Sequence, residues 1–175
     1  MPAPLRRRLL AFGLDYILIA AYLVVLVGAG VLLRAAAPDI AAALFGGPAV
    51  GELVGFLALT LPISLYFTLL EASPAGATWG KRRVGLRVVG PGDAPLSIGR
   101  SALRTALKFV PWELSHALIW RYAFAAGDPP LYLDLGLIVV WLLIGANVAS
   151  AVLVRDHRSL YDLLSGTSVV TSATA

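Results

Sequence analysis

The segment that most constrains this chain is a long apolar run near its N-terminus that contains one charged side chain. A basic cluster, Arg6–Arg8, precedes the run, and Asp15 is the only charged residue within positions 9–33. Because a helix rises 1.5 Å per residue, about 20 apolar residues cross the hydrocarbon layer of a bilayer. The run therefore predicts a membrane-spanning helix with a carboxylate roughly two turns from its basic end.

Asp15 needs a physical reason, because an unpaired carboxylate at that depth costs several kcal/mol or takes up a proton. Two explanations stay open: a structural polar contact between helices, or a site for a proton, a cation or a substrate. Arg8 lies on the same helix face, but about 10 Å away along the axis, and its side chain should extend toward head groups. We therefore expect Asp15 to meet a positive group or a proton on another segment.

Composition places the chain among integral membrane proteins. Of its 175 residues, 59% are hydrophobic and 14% are charged, and its mean hydropathy is +0.84. Soluble domains carry about 25% charged residues. The net charge is +4, but the basic residues cluster at the ends of apolar runs, as membrane topology requires, so nucleic-acid binding is not expected. The absence of cysteine excludes disulfides, thiol catalysis and cysteine-ligated zinc.

The apolar runs predict an all-α membrane protein, a bundle of about four transmembrane helices in a single domain, residues 1–175. Breakers rich in Gly and Pro separate the runs. The expected helices and polar segments lie at about 8–34, 50–71, 97–126 and 131–154, with a cytoplasmic loop at 72–96 and a cytoplasmic tail at 155–175.

Two short segments outside the apolar runs are candidates for β-strands. Within 84–89, Val84, Leu86 and Val88 alternate with Gly85 and Arg87. A lone strand cannot leave its backbone groups unpaired near a membrane, and the segment 166–171 is the natural mate. We therefore predict a small two-stranded β patch on the cytoplasmic side.

The third helical segment is the hardest to interpret. Arg100, Arg104 and Lys108 recur every four residues and form a basic stripe suited to anionic lipid head groups. Whether 98–126 spans the membrane or lies on it stays open, although crossing leaves only Arg34 and Arg121 outside. A surface position would put the two candidate strands on opposite sides. Four crossings with both termini cytoplasmic is the better solution.

The second apolar segment carries signals for close helix packing. Gly51 and Gly55 form a small-xxx-small pair that permits another helix to approach closely. Pro62 removes one backbone donor and predicts a kink. A kink can mark a transport pathway, but proline is common in membrane helices.

Several sequence blocks resemble the RDD family of small bacterial and archaeal membrane proteins, named for one Arg and two Asp. These blocks are RRLLAFGLDYILI at the start, TWGKRRVGLRVV in the middle, Arg104, and RSLYDLLSGTSVV at the end. By position, the family's Arg and two Asp correspond to Arg8, Asp15 and Asp162, and its Gly-Lys pair to Gly80 and Lys81. The chain departs from the family's pattern at Trp79, and at Tyr161, where a His often stands; the latter weakens any proton relay that needs it.

The resemblance implies a helical bundle in the bacterial plasma membrane and a transporter function, with sodium/proton antiport associated with some members. One hypothesis is therefore monovalent cation/proton exchange through Asp15, with Arg8, Lys81, Arg104 and Asp162 completing a charge cluster. The alternative is a non-catalytic scaffold or accessory subunit in which Arg8, Asp15 and Asp162 form a structural cluster. For Asp162 the structural role is favoured, and Asp15 stays open.

No enzyme signature is present, and no cofactor or metal is expected. Glu113 and His116 share a helix face, but a bundle metal site needs matching ligands from other helices. The GKRR block lacks the upstream glycine and the Ser or Thr of a phosphate-binding loop. A chain with so few helices is expected to form a homo-oligomer or to bind a membrane partner protein, besides the lipid bilayer and its anionic head groups.

Overall fold

The computed structural model describes residues 1–172. Within that range, three helical segments are long and apolar enough to cross a membrane: Leu5–Ala36, Pro48–Glu71 and Leu131–Leu153. A two-stranded antiparallel sheet accompanies them. The predicted helical architecture with a small β patch is therefore confirmed.

The first helix, α1 (Leu5–Ala36), presents most of its apolar side chains outward. Val24 and Leu32 are 72% and 70% exposed, and the buried residues of the helix are Ala11 and Asp15. Apolar surface exposed over this length is stable only where lipid or another protein chain replaces water. The buried part of α1 is therefore the part that carries the carboxylate.

The second apolar segment contains a π-helical turn directly before Pro62. Proline has no N–H, so Pro62 leaves the carbonyl of Ala58 without its regular donor four residues later. The Tyr22 hydroxyl donates to that carbonyl at 2.5 Å, so a side chain of α1 satisfies the freed backbone group. The elements of this region are α2 (Pro38–Phe45), α3 (Pro48–Gly55), the π-helical turn (Phe56–Thr60) and α4 (Leu61–Glu71).

The loop after α4 returns to α1 and then forms a strand. It contains a five-residue helix, α5 (Trp79–Arg83), and then β1 (Leu86–Val89). The Thr78 side chain accepts a hydrogen bond from the Lys81 N–H and caps α5 at its N-terminus. The short helix packs against α1.

Two long helices follow and form a hairpin, α6 (Ile98–Ala123) and α7 (Leu131–Leu153). Leu118 packs with Leu133 and Val140 of α7. A Cβ on Gly136 would lie 2.8 Å from the Leu118 side chain, so the helices approach closely at this level. α6 also packs on α4. Unlike α7, α6 carries several charged residues and is not among the three apolar segments.

The C-terminal elements of the described chain lie beside its N-terminal residues. A five-residue helix, α8 (Leu160–Leu164), leads into β2 (Ser168–Thr171), which pairs antiparallel with β1. The register places Leu86 opposite Thr171. The N-terminal residues add a further bridge, between Pro2 and Val170. The N-terminal residues, β2 and the loop between α4 and α6 therefore meet at one end of the bundle, as the predicted strand pairing requires.

Candidate functional site: a buried charge network

Asp162 anchors one end of a buried network of charged side chains. Its carboxylate is fully buried and accepts hydrogen bonds from Arg8 Nη2 at 2.5 Å, from Arg104 Nη1, and from the backbone N–H of Ser159 at 3.0 Å. The last contact belongs to a capping box in which Ser159 is the N-cap of α8 and Asp162 is its third residue. The tail helix thus orients the carboxylate toward two guanidinium groups.

Arg104 connects this carboxylate with a second buried acid, Glu71. The Arg104 Nε donates to Glu71 Oε2 at 2.8 Å, while Lys81 Nζ donates to Glu71 Oε1 at 2.9 Å. Glu71 ends α4 and is 2% exposed, as is Arg104. Glu71 was not singled out from the sequence, because an acid at the border of an apolar helix and a polar loop is normally solvated. Only the positions of Arg104 and Lys81 in the fold reveal its role.

Asp15 is buried without a cation in direct contact. Its carboxylate accepts hydrogen bonds from the Tyr66 hydroxyl at 2.8 Å, the Thr78 hydroxyl at 2.6 Å and the Gly80 N–H at 2.8 Å. Its partners lie on other segments, as expected, but none is positively charged. Within residues 1–172, no Lys, Arg or His nitrogen comes within salt-bridge distance of it.

Among residues 1–172, the expected positive group is therefore not in direct contact with Asp15, and the alternative, a proton on this carboxyl group, stays a prediction. Two hydroxyls and a backbone N–H in the first turn of α5 donate hydrogen bonds to the carboxyl group instead. The contact requires glycine at position 80, because a Cβ there would lie 2.3 Å from the Ala11 carbonyl oxygen and 2.9 Å from Asp15 Cγ. Lys81 Nζ lies 3.4 Å from the Thr78 hydroxyl and so links Asp15 to the rest of the network.

A cavity of about 470 Å³ lies beside the network, between α1 and α7. Four cationic side chains line it, together with Asp15 and apolar residues of both helices. Lys108 differs from the other cations: within residues 1–172 no carboxylate lies within salt-bridge distance of it, and its Nζ lies 3.1 Å from the centre of the Phe67 ring. The four cationic residues are Arg8, Lys81, Arg104 and Lys108.

Tyr161 also lines the cavity, at the position where the family resemblance predicts a histidine in many members. Arg104 lies over its ring, with 4.9 Å between the guanidinium carbon and the ring centre. Burial raises the pKa of Tyr161, but the positive charges of Arg104, Arg8 and Lys81 and a hydrogen bond with Ser159 together outweigh that effect and leave the pKa below its usual value. The phenol therefore acts as a stacking surface for the guanidinium that joins the two acids.

The basic stripe predicted on α6 does not lie on one exposed face. Arg100 is exposed, whereas Arg104 is buried in the network and Lys108 is turned toward the cavity. α6 packs on α4 and α7 at the same time, and Arg104 lies on the packed side of the helix. Of the three residues, only Arg100 is exposed on the outer surface, where the stripe was expected to contact the head groups of the surrounding lipid.

The residues predicted to permit close packing lie elsewhere in the bundle. A Cβ on Gly51 would lie 2.5 Å from the Trp120 ring, and one on Gly55 would lie 2.4 Å from His116. Both glycines therefore face α6 of the same chain. Pro62 lines a separate apolar groove between α1 and α4.

Glu113 and His116 belong to a second, smaller polar cluster near the π-helical turn. Thr60 donates to Glu113 at 2.7 Å, and the Trp120 indole donates to His116 Nε2 at 2.9 Å. Residues 1–172 contain no group of three or more His, Cys, Asp or Glu side chains placed to hold a metal ion. We therefore interpret the cluster as hydrogen bonding that joins the π-helical turn to α6.

Comparison with known proteins identifies the family of this chain. Neither the curated proteins nor the solved structures include a significant match to this chain. The RDD family model matches residues 2–166, which include all six charged positions of the network: Arg8, Asp15, Glu71, Lys81, Arg104 and Asp162. With its apolar helices, the chain is an integral membrane protein, and a match over nearly its whole length shows that it belongs to the RDD family.

Proposed function

We propose that the charge network is a structural clasp and that the chain is a non-enzymatic, non-catalytic scaffold or accessory component of the membrane. The observation that carries this proposal is that donors from other segments of the chain reach both carboxylate oxygens of all three buried acids. Asp15 accepts three hydrogen bonds, and Glu71 and Asp162 are each shared by two cations. An incoming ion would therefore compete with these donors for the carboxylate oxygens.

The clasp explains why these residues occur together. α1 supplies Arg8 and Asp15, α4 supplies Glu71, α6 supplies Arg104, and the tail supplies Asp162. Three of the four ion pairs therefore join residues at least 33 positions apart in sequence, and the fourth joins Glu71 to Lys81 of the following loop. Removing one partner of such a buried pair costs about 3–5 kcal/mol, because the other charge stays buried and unpaired.

The proposed topology has four crossings, with α6 as the third, and both termini in the cytoplasm of a bacterial cell. Pairing of β1 with β2 supports it, because these strands lie just before α6 and just after α7. A hairpin whose ends are joined by a sheet begins and ends on one side. The basic residues at that end, among them Arg82 and Arg83, agree with a cytoplasmic location.

Two kinds of partner follow from the exposed surface. The outward apolar faces of α1 and α7 fit lipid, a second copy of the chain or another membrane protein. Exposed basic residues at the β-sheet end, including Arg100, are placed to meet anionic head groups if that end is cytoplasmic.

Replacing Asp15 by Asn tests the clasp. All three groups around the carboxylate donate hydrogen bonds to it, and the Asn amide nitrogen would place a fourth donor among them. We expect a loss of about 1–3 kcal/mol in unfolding free energy, measured by thermal unfolding of the purified full-length protein. Asp39→Asn, on the exposed surface of α2, is the matched control and should leave the unfolding temperature unchanged.

Exchange of monovalent cations against protons is the second candidate, and the position of Asp15 on the cavity favours it. In proteoliposomes with an imposed pH gradient, added Na⁺, K⁺ or Li⁺ would then collapse the gradient with the native protein and not with Asp15→Asn. The clasp proposal predicts no ion-driven collapse in either case. A variant that unfolds at the native temperature but loses gradient collapse would overturn the clasp and establish exchange.

A further inference from the structure

The cavity between α1 and α7 contains an unbalanced positive charge. Four cationic side chains line it, whereas the acids in and next to it are three: Asp15, Glu71 and Asp162. With ordinary charge states, the cluster carries one net positive charge. Within residues 1–172, Lys108 is the one of these four cations without an ion-pair partner, since the two ion-paired acids are shared among the other three. A lone ammonium away from water is stabilised by any anion that enters the cavity.

The walls of the cavity restrict what that anion can be. Most of the lining is apolar, contributed by residues such as Leu9 and Phe12 of α1 and Val148 and Val152 of α7. A free inorganic anion gains nothing from such walls. A molecule with an anionic group at one end and a hydrocarbon chain at the other matches both parts of the surface.

The position of the cavity along the helices points to the same chemistry. On α1 its lining runs from Leu5 to Asp15, which is roughly 15 Å of helix from the basic end inward. On α7 it runs over Asn147–Val152, at the end of that helix. In the proposed topology, the cavity begins at the depth of lipid phosphates and extends into the hydrocarbon layer.

We propose that this cavity binds one anionic phospholipid, with its phosphodiester next to Lys108, Arg8 and Lys81 and an acyl chain between α1 and α7. A phosphodiester with an uncharged head group carries a single negative charge, which balances the net charge of the cluster. Basic pockets between membrane helices are known to hold anionic lipid head groups. The bound lipid fills the gap between α1 and α7, which pack mainly on other elements.

Titration with phosphatidylglycerol tests the proposal. The purified full-length protein in a zwitterionic detergent is titrated with phosphatidylglycerol or phosphatidylcholine, and bound lipid is counted by native mass spectrometry. We expect one phosphatidylglycerol per chain at concentrations where phosphatidylcholine does not bind. Lys108→Gln should weaken this binding at least about tenfold, because a hydrogen bond to a charged group is lost.

Two controls separate the site from general surface charge. Arg34→Gln removes an exposed positive charge at the other end of α1 and should not change binding. Ala151→Phe narrows the cavity from α7 without any change in charge and should abolish binding. This variant keeps the test decisive if Lys108→Gln fails to fold. Equal binding of the two lipids, or unchanged binding to both cavity variants, would overturn the proposal. Competition by inorganic phosphate as effective as that by phosphatidylglycerol would identify a free anion as the occupant and overturn it as well.

Discussion

Two buried aspartates in one small bundle are stabilised in different ways. Asp162 faces two guanidinium groups, whereas Asp15 faces two hydroxyls and one backbone N–H. Hydrogen bonds to a charged group contribute about 1.5–3 kcal/mol each, so three neutral donors can offset much of the cost of burial. Under the clasp proposal, Asp15 joins segments through hydrogen bonds, while Asp162 joins them through ion pairs.

Arg104 is the residue on which the network depends most, because one side chain contacts two acids at once. Its Nε donates to Glu71 and its Nη1 to Asp162. We expect Arg104→Met to cost about 3–5 kcal/mol in unfolding free energy, since both carboxylates lose a buried partner. Thermal or denaturant unfolding of the purified protein measures this loss.

Arg104→Lys is the informative companion variant. An ammonium is a compact point charge and cannot reproduce the forked contact of a guanidinium with two separate acids. The Lys variant should therefore recover only part of the stability lost in Arg104→Met. Arg100→Met, one turn earlier and exposed, serves as the control. Full recovery with Lys would mean that charge alone matters, contrary to the forked geometry.

At the scale of elements, the important contact is that of α5 with α1. Gly80 lies against the Ala11 carbonyl, so even a methyl group at position 80 has no room. We expect Gly80→Ala to cost about 1–3 kcal/mol through overpacking and to displace the loop from α1. Trypsin should then cleave the folded protein faster after Arg82 and Arg83, which gel analysis of a digestion time course measures.

A second glycine provides the control for this variant. A Cβ on Gly13 of α1 would meet nothing within 4 Å, so Gly13→Ala should leave the cleavage rate unchanged or lower. Equal protection of the Gly80→Ala and native loops would show that α5 does not depend on this close approach.

The sequence predicted those elements whose signal is local. The apolar run that becomes α1 and the alternation around Leu86 needed no knowledge of neighbours. The π-helical turn before Pro62 was not foreseen, because its stability depends on a hydroxyl from Tyr22 on another helix. The role of Glu71 in the network is not predictable from the local sequence for the same reason, because its partner Arg104 is 33 residues away. The charges of the network were largely identified, but their pairing is a property of the fold.

At the scale of the whole molecule, the sheet sets the path of the chain. β1 precedes α6 and β2 follows α7, so the hairpin starts and finishes at the end that also holds the N-terminus. α7 is apolar enough to span a membrane, while α6 is more polar and is covered by α4 and α7. A polar helix can cross when its neighbours shield it from lipid. This arrangement supports the proposed crossing of α6 with α7.

Cysteine labelling tests this topology directly, because the native chain contains no cysteine. Single substitutions at exposed sites, Asp39→Cys and Asp128→Cys beyond one end of the bundle and Arg83→Cys at the sheet end, are treated in intact cells with a membrane-impermeant maleimide. If α6 crosses, the thiols at 39 and 128 react from outside, whereas the thiol at 83 reacts only after permeabilisation. Reaction at 39 but not at 128 would mean that α6 stays on the inner side. β1 and β2 would then lie on opposite sides of the membrane, which contradicts both the four-crossing topology and the pairing of the two strands.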